Sequence, residues 1–386
     1  ERDLKKKNSF TIAIVIGCLI GFAGVLVGAA LPRTFGAAFS AFTGIDAHTW
    51  LPAPVYFLLA LLSAIIIHEL GHLAAALSVG FRFRVLTLGP WSIIATPAGL
   101  RHRISFKILG LIQGQQISTP VAGEGTDRQF VRYLAGGGFA NLFTAVVAGL
   151  VLMIPGIPAD LRAFVFPLGV VSIGLGIMNL LPWRTAQGVA TDGYNIRAIL
   201  RNDDEALRFR ALFDLMGNIY SGVRPRDWSR ETVACLQGSA STNYEKAMST
   251  MLSCQYALDR GDLVAAGEAA LASEGLLESV PKAFKSHFAI DLAYYFGAFG
   301  GDAIKARRHA ETARNGGYLL SASSVQRALA AAAFAEGRYE EAIAACDRGI
   351  AAAADGNNEM DRILEPELLN ALRARAVAEQ KNLSVR

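Results

Sequence analysis

The sequence predicts a mainly α-helical membrane protein with four membrane-spanning helices, a small β element at the membrane interface and a soluble tail of helical repeats. Three features of the 386-residue chain carry this expectation. Long apolar runs are confined to residues 11–200. Alternating polar and apolar residues break into them between the second and third run. Beyond about residue 200 charge thickens, and a glycine-led pattern recurs in helical period. The implied units are residues 1–53 (an anchor helix and external loop), 54–200 (the membrane core) and 201–386 (the tail).

The first span is residues 11–31, uncharged and about the 20 residues a bilayer needs. It follows Lys5, Lys6 and Lys7. A secretory leader has an apolar stretch of only about 7–15 residues, so the run is expected to be an uncleaved anchor. The second, third and fourth spans are expected at 54–79, 134–154 and 163–181. The fourth contains Pro167 and several glycines, which membrane helices tolerate where neighbours pack closely. Basic residues set the direction. Residues 80–133 hold Arg82, Arg84, Arg101, Arg103, Lys107, Arg128 and Arg132, whereas the opposite connections hold one arginine each, Arg33 and Arg162. The excess of Lys and Arg on one side predicts both termini and the basic segment in the cytoplasm.

The second span carries ionisable groups in apolar surroundings: His68-Glu69-Leu70-Gly71-His72. Residues four apart share one helix face, so the two imidazoles stand one turn above the other. That spacing clamps a single zinc ion, with Glu69 alongside to take a proton from water. The alternative is a pair of satisfied core histidines. Unpaired ionisable groups cost several kcal/mol inside a span, which favours the functional reading. The distance from His72 to Gly80, roughly 12 Å at 1.5 Å per residue, places the pair within the bilayer, towards its cytoplasmic side.

A catalytic zinc takes a third protein ligand and keeps one position open. Between Gly125 and Asn202 there is no glutamate, and the aspartates are Asp127, Asp160 and Asp192. Asp160 falls in the external connection and Asp127 lies in the basic segment with no motif around it. Asp192 follows the fourth span on the cytoplasmic side, which leaves it as the third ligand by elimination and topology. Pro182, in Asn179-Leu180-Leu181-Pro182, disfavours helix at Leu181 and lets the chain fold back. An ordinary span end followed by a turn is the plainer alternative.

The basic segment reads as more than linker. Residues 83–88 and 103–109 alternate as strands do, with turns at Gly89-Pro90 and Pro97-Ala98-Gly99. A small sheet at the cytoplasmic interface is expected. Its edge could hold an unwound substrate extended by strand addition, or the segment could simply rest on the membrane as a hairpin.

In the tail, Gly261-Asp262, Gly301-Asp302 and Gly337-Arg338 align at spacings of 40 and 36 residues, with small residues at Ala270, Ala310 and Cys346. This predicts helix–turn–helix units near the tetratricopeptide period of about 34, which the stretch 332–350 is most similar to. Stacked pairs present a concave surface for a protein partner; a plain helical bundle capping the core is the alternative. His48, His102, His287 and His309 have no ligand-spaced partner and are expected at the surface. Four scattered cysteines argue against a disulfide framework. No basic stripe interleaved with aromatics points to nucleic acid.

The ordered motifs resemble those of the site-2 protease family of zinc intramembrane metalloproteases. The resemblance spans residues 54–200. It rests on His68-Glu69-Leu70-Gly71-His72 in one span, Gly137-Gly138-Phe139-Ala140-Asn141 in the next, and Asn179-Leu180-Leu181-Pro182 with a later Asp192-Gly193. It implies that His68, His72 and Asp192 bind Zn2+, that Glu69 is the general acid/base, and that Asn141 and Asn179 hold the substrate or transition state. Apart from the family, Gly136-Gly137-Gly138 reads equally as a close helix contact. The chain departs from the commoner pattern by the long polar stretch 183–191 between Pro182 and Asp192.

The resemblance implies an intramembrane zinc endopeptidase acting on a transmembrane or membrane-tethered protein, in a bacterial inner membrane, with the tail recruiting or gating substrate. Two alternatives stand beside it. One is a membrane zinc protease of the prenyl-peptide-processing type, which needs a glutamate ligand that this region lacks. The other is a non-catalytic membrane scaffold that binds partners through its repeats.

Overall fold

A computed structural model describes residues 53–96, 98–104, 114–121, 125–186, 188–238, 240–282, 284–316 and 320–385. The expected first span, and residues 105–109 of the second expected strand, lie outside these. The described residues form thirteen helices and a small antiparallel sheet.

Three of the helices are long and apolar enough to cross a membrane, so the expected four spans become three among the described residues. They are α1 (Ala53–Ser78), α2 (Asp127–Leu152) and α3 (Ala159–Leu180). Thr126 starts α2 with a capping box to Gln129, satisfying two backbone donors at once. Leu181 ends α3 in extended conformation (ψ 137°), as a residue preceding proline should. Large apolar side chains such as Leu58, Phe143 and Ile173 are exposed along the three helices, as expected of surfaces facing lipid.

Lipid tails are as apolar as leucine, so these helices need close backbone contact to hold together. Glycine supplies it. A Cβ on Gly71 would lie 2.5 Å from the Gly136 carbonyl oxygen, and one on Gly136 would lie 2.5 Å from that of Gly71. Gly138 makes room in turn for Leu180 of α3.

Between α1 and α2 the chain forms β1 (Arg82–Leu88), β2 (Trp91–Thr96), β3 (Gly99–Ile104) and β4 (Gly114–Thr119), in the order β3-β2-β1-β4. Gly89 turns β1 into β2 with φ +57°, a conformation that suits glycine. The expected strand at 83–88 is β1. The sequence reading missed β2 and β4: "GQQIST" shows no clean alternation, because β4 is covered by helices rather than half-exposed.

The remaining helices are α4 (Asp192–Arg201), α5 (Asp204–Ser221), α6 (Arg230–Gly238), α7 (Asn243–Asp259), α8 (Leu263–Leu276), α9 (Lys285–Ala298), α10 (Ala303–Arg314), α11 (Ala322–Ala335), α12 (Tyr339–Ala353) and α13 (Glu359–Val385). Helices α7/α8, α9/α10 and α11/α12 form three pairs. Gly261, Gly301 and Gly337 turn each pair at φ +76°, +64° and +73°. Asp262 and Asp302 then cap the second helix by accepting from Ala265 N–H and Lys305 N–H. Ala270, Ala310 and Cys346 are buried where the helices of a pair meet.

No gap separates core from tail at residue 201. Phe130 of α2 packs edge-on against Phe209 and Phe213 of α5, beside Phe81 and Tyr133. The tail also touches β3, where Arg103 donates to the Leu320 carbonyl at 3.1 Å and Arg101 pairs with Asp355. One histidine departs from expectation. His309 is 1% exposed, stacked on Phe296 and 3.1 Å from Glu274 Oε1. It shares a face with Ala306, Ala310 and Ala313, which marks it as inward-facing. His287 is half-buried rather than on the surface, whereas His102 is exposed against Trp91.

Candidate metal centre

His68 and His72 lie in the last third of α1, and their Nε2 atoms are 3.1 Å apart. Asp192 Oδ2 is 3.3 Å from His72 Nε2 and 3.7 Å from His68 Nε2. Ligands at about 2.0–2.2 Å from a tetrahedral zinc are separated by roughly 3.3–3.6 Å, and the three donors stand within a few tenths of an ångström of that spacing. They are the described residues' one group of three or more His, Cys, Asp or Glu able to share a metal. The other two aspartates weighed from sequence are elsewhere. Asp160 accepts from Tyr56 at the far end of the spans, and Asp127 pairs with Arg210.

The surroundings fix the donors. His72 Nδ1 is 3.0 Å from the Tyr133 carbonyl. As a donor to that carbonyl it keeps its proton, which leaves the Nε2 lone pair for a metal. Gly137 clears the space beside the imidazoles: a Cβ there would lie 2.4 Å from His72 Nε2 and 2.8 Å from His68 Cε1. The glycine triplet thus has three separate uses, Gly136 against α1, Gly137 against the histidines and Gly138 against α3. Close helix contact and room for donors are both present.

Asp192 is delivered by a folded loop. Thr185 N–H donates to the Val189 carbonyl at 2.8 Å and Arg184 bridges Ala190, so residues 184–186 and 188–190 pair as the arms of a hairpin. Thr191 caps α4 and donates its hydroxyl to the Leu181 carbonyl at 2.7 Å, while the Met178 carbonyl, which Pro182 leaves without a helical donor, accepts from Trp183 Nε1. Gly193 lets α4 meet the end of α3, since a Cβ would come within 2.0 Å of the Leu180 carbonyl oxygen. The long departure from the commoner motif is therefore taken up as a hairpin. Burial opposes ionisation of Asp192, but hydrogen bonds and charge from His68 and His72 outweigh it and hold the carboxyl below its ordinary range.

That hairpin is also clamped, which sequence reasoning missed. Arg184 reaches Glu205 Oε2 of α5 at 2.5 Å and Glu245 Oε1 of α7 at 2.8 Å, with its guanidinium over the Tyr194 ring. Arg208 pairs with both glutamates. Burial raises the Glu205 pKa, but Arg208, Ser241 and Arg184 more than reverse this, so the carboxyl sits below its usual value. No local motif announces such a clamp, because its partners come from distant helices.

Glu69 is buried beside the donors, next to β4. Gln116 N–H donates to its carboxylate, and a Cβ on Gly114 would lie 2.5 Å from Glu69 Oε1. Tyr133 Oη donates to the Gln116 carbonyl at 3.1 Å and receives the Ser118 N–H. The outer edge of β4 from Gln116 to Ser118 thus faces α1 and α2, and β3 forms the sheet's other edge.

The two asparagines part company. Asn141, one turn beyond Gly137, is 0% exposed, and neither Oδ1 nor Nδ2 has a hydrogen-bond partner among the described residues. An orphaned buried amide costs about 1–3 kcal/mol per group. Asn179 is half-buried at the end of α3, and its Nδ2 donates back to Leu175 O at 3.0 Å. No family model, curated protein or solved structure matches the chain.

Proposed function

We propose that this protein is an intramembrane zinc endopeptidase of the site-2 protease type, hydrolysing a peptide bond of a transmembrane or membrane-tethered protein. One observation carries the reading: His68, His72 and Asp192 converge within 3.7 Å of one another, with Glu69 beside them, in a body of three membrane-length helices. The donor set fits Zn2+, being two imidazoles and a carboxylate, with the Gly137 hollow and the Tyr133 carbonyl arranged around them. Bound there, zinc supplies a Lewis acid that acidifies water and polarises a carbonyl.

The chain's own groups supply the rest. Glu69 takes the proton of the attacking water and returns it to the departing amide nitrogen, work that typically contributes 10²–10⁴-fold. The Gln116 N–H holds that carboxylate in place. The Asn141 amide offers an unused donor to charge that develops on the scissile oxygen. Asp192 is the third ligand, and its hairpin is braced by the tail. Basic residues on the sheet support an orientation with sheet and tail in the cytoplasm of a bacterial inner membrane. The helix pairs of the tail offer a surface for recruiting substrate or a partner.

Metal analysis of the purified chain, with cleavage of a co-expressed membrane substrate, tests this. Glu69→Gln is expected to retain zinc and lose cleavage by about 10²-fold or more, and Asp192→Ala to lose zinc. Equal processing by Glu69→Gln and wild type would instead make the protein a scaffold.

A further inference from the structure

The tail encloses a cavity of about 240 Å³ that the metal centre does not use, framed by α5, α7, α9, α11 and α13. Its upper walls are apolar, with Ile219, Leu252, Leu258, Met360 and Leu364. The floor is polar and anionic. Arg327 is buried between two carboxylates, donating to Glu365 Oε2 at 2.9 Å and Asp291 Oδ1 at 3.0 Å, over the Tyr294 ring. Asp291 and Glu365 are themselves buried, so two carboxylates share one guanidinium in a low-dielectric space. The other carboxylate on the wall, Asp259, is neutralised by Arg224, and Asp361 adds a further carboxyl.

A second observation is independent of this charge count. Gln255 gives Nε2 to Asp291 Oδ2 at 2.7 Å, and its carbonyl Oε1 is buried without a partner among the described residues. His287 Nδ1, on the same wall, is in the same position. A buried amide oxygen can only accept, and leaving it unanswered is costly. The cavity lining therefore carries surplus negative charge and, within the lining residue Gln255, an orphaned acceptor beside apolar side chains. A group that answers both carries a positive charge, several donors and an aliphatic stem. An anion would meet the carboxylates, and an uncharged apolar ligand would leave the acceptor and the charge unmet.

We propose that this cavity binds a primary ammonium on an alkyl stem: a lysine side chain of a partner protein, or a free aliphatic amine. The volume lies just below the about 300–1,000 Å³ of small-molecule pockets, which suits one such chain rather than an extended peptide. The ammonium sits by Gln255, Asp291 and Glu365, and the stem lies against Leu252, Leu258 and Met360.

Calorimetry on the full chain in detergent tests this with n-pentylammonium, Nα-acetyl-lysine amide and spermidine, against pentan-1-ol and pentanoate. The ammonium probes are expected to bind at least about tenfold tighter than pentan-1-ol, the value of a charged hydrogen bond, and pentanoate not at all. Gln255→Met should weaken them by about tenfold while leaving the far-ultraviolet helix signal unchanged. Met360→Trp, which adds bulk to the apolar lining and leaves the charged residues in place, should abolish binding and serves if Gln255→Met does not fold. Tighter binding of the lysine amide than of spermidine assigns the site to a protein side chain, and the reverse order assigns it to a free amine. Pentan-1-ol binding as tightly as n-pentylammonium, or no ammonium binding at millimolar concentration, would overturn the proposal.

Discussion

Glycine does opposite jobs in the two halves of this molecule. In the membrane core Gly71, Gly136, Gly137 and Gly138 stand inside helices, where each missing Cβ admits a neighbouring backbone or side chain. In the tail Gly261, Gly301 and Gly337 stand between helices at positive φ, with open space around them. Gly267, Gly297 and Gly349 depart from this within the tail, standing inside helices where a Cβ would meet Tyr295 Oη, the Ala331 carbonyl and Leu369. The difference follows from the solvent. In water, burial of alanine and leucine already drives helices together, so the tail depends less on glycine at its helix contacts and uses it at the turns. In lipid that drive is absent, and contact has to come from close packing.

The largest expected effect breaks the core's use of glycine. Gly137→Ala should improve intrinsic helix propensity by about 1 kcal/mol. Its Cβ would nevertheless stand where the His72 donor stands. Metal affinity should fall about 100-fold, the upper range for disturbed metal surroundings, while the helix content stays. Competition with a chelator measures it.

The second effect contrasts the buried charge of the tail with the His68, His72 and Asp192 group of the core. Asp361 has its pKa pushed up to about 7, chiefly by burial and then by Glu365, against the Asn357 N–H, the Asn358 side chain and Arg327. A raised carboxyl pKa means that the folded state holds more protons than the unfolded one between about pH 4 and 7. Stability of the tail should therefore fall as pH rises through that window, by about 1–3 kcal/mol, and level off above it. Asp361→Asn should remove the slope, which thermal melts at pH 5, 6, 7 and 8 would reveal.

The third effect crosses the boundary between the halves. Arg184→Ala cuts the brace from Glu205 and Glu245 to the Asp192 hairpin. Metal affinity should drop about tenfold, as for loss of an outer positioning partner, with the tail's melting temperature nearly unchanged. An unaltered affinity would mean that Thr191 and Gly193 alone hold Asp192.

How much of this was legible follows the same division. The histidine pair and Asp192 could be read because helix periodicity, topology and a lack of rival acids leave few choices. The Gly-Asp turns could be read because αL glycine and an aspartate cap are local rules. What could not be read depends on distant partners: the Arg184 clamp, the sealing of β4 by Tyr133, and the return of Asn179 to its own helix. His309 lies between these cases, since its alanine neighbours at helical spacing signalled burial but nothing local named Glu274.

Gly301→Ala is the smallest effect and the converse of Gly137→Ala. A Cβ at Gly301 meets nothing within 4 Å, so packing has no objection. The objection is conformational, because φ +64° is the left-handed region, where an L side chain costs about 1 kcal/mol. The tail should melt a few degrees lower, with metal content and cleavage unchanged. At Gly137 the same substitution suits the backbone and ruins the site; at Gly301 it strains the backbone and spares the site. A Gly301→Asn variant sharpens the contrast, since asparagine tolerates that φ and should recover most of the loss. If alanine and asparagine were equally destabilising, the cost would lie in contacts rather than in backbone conformation, and the distinction between glycines inside helices and glycines between them would fail.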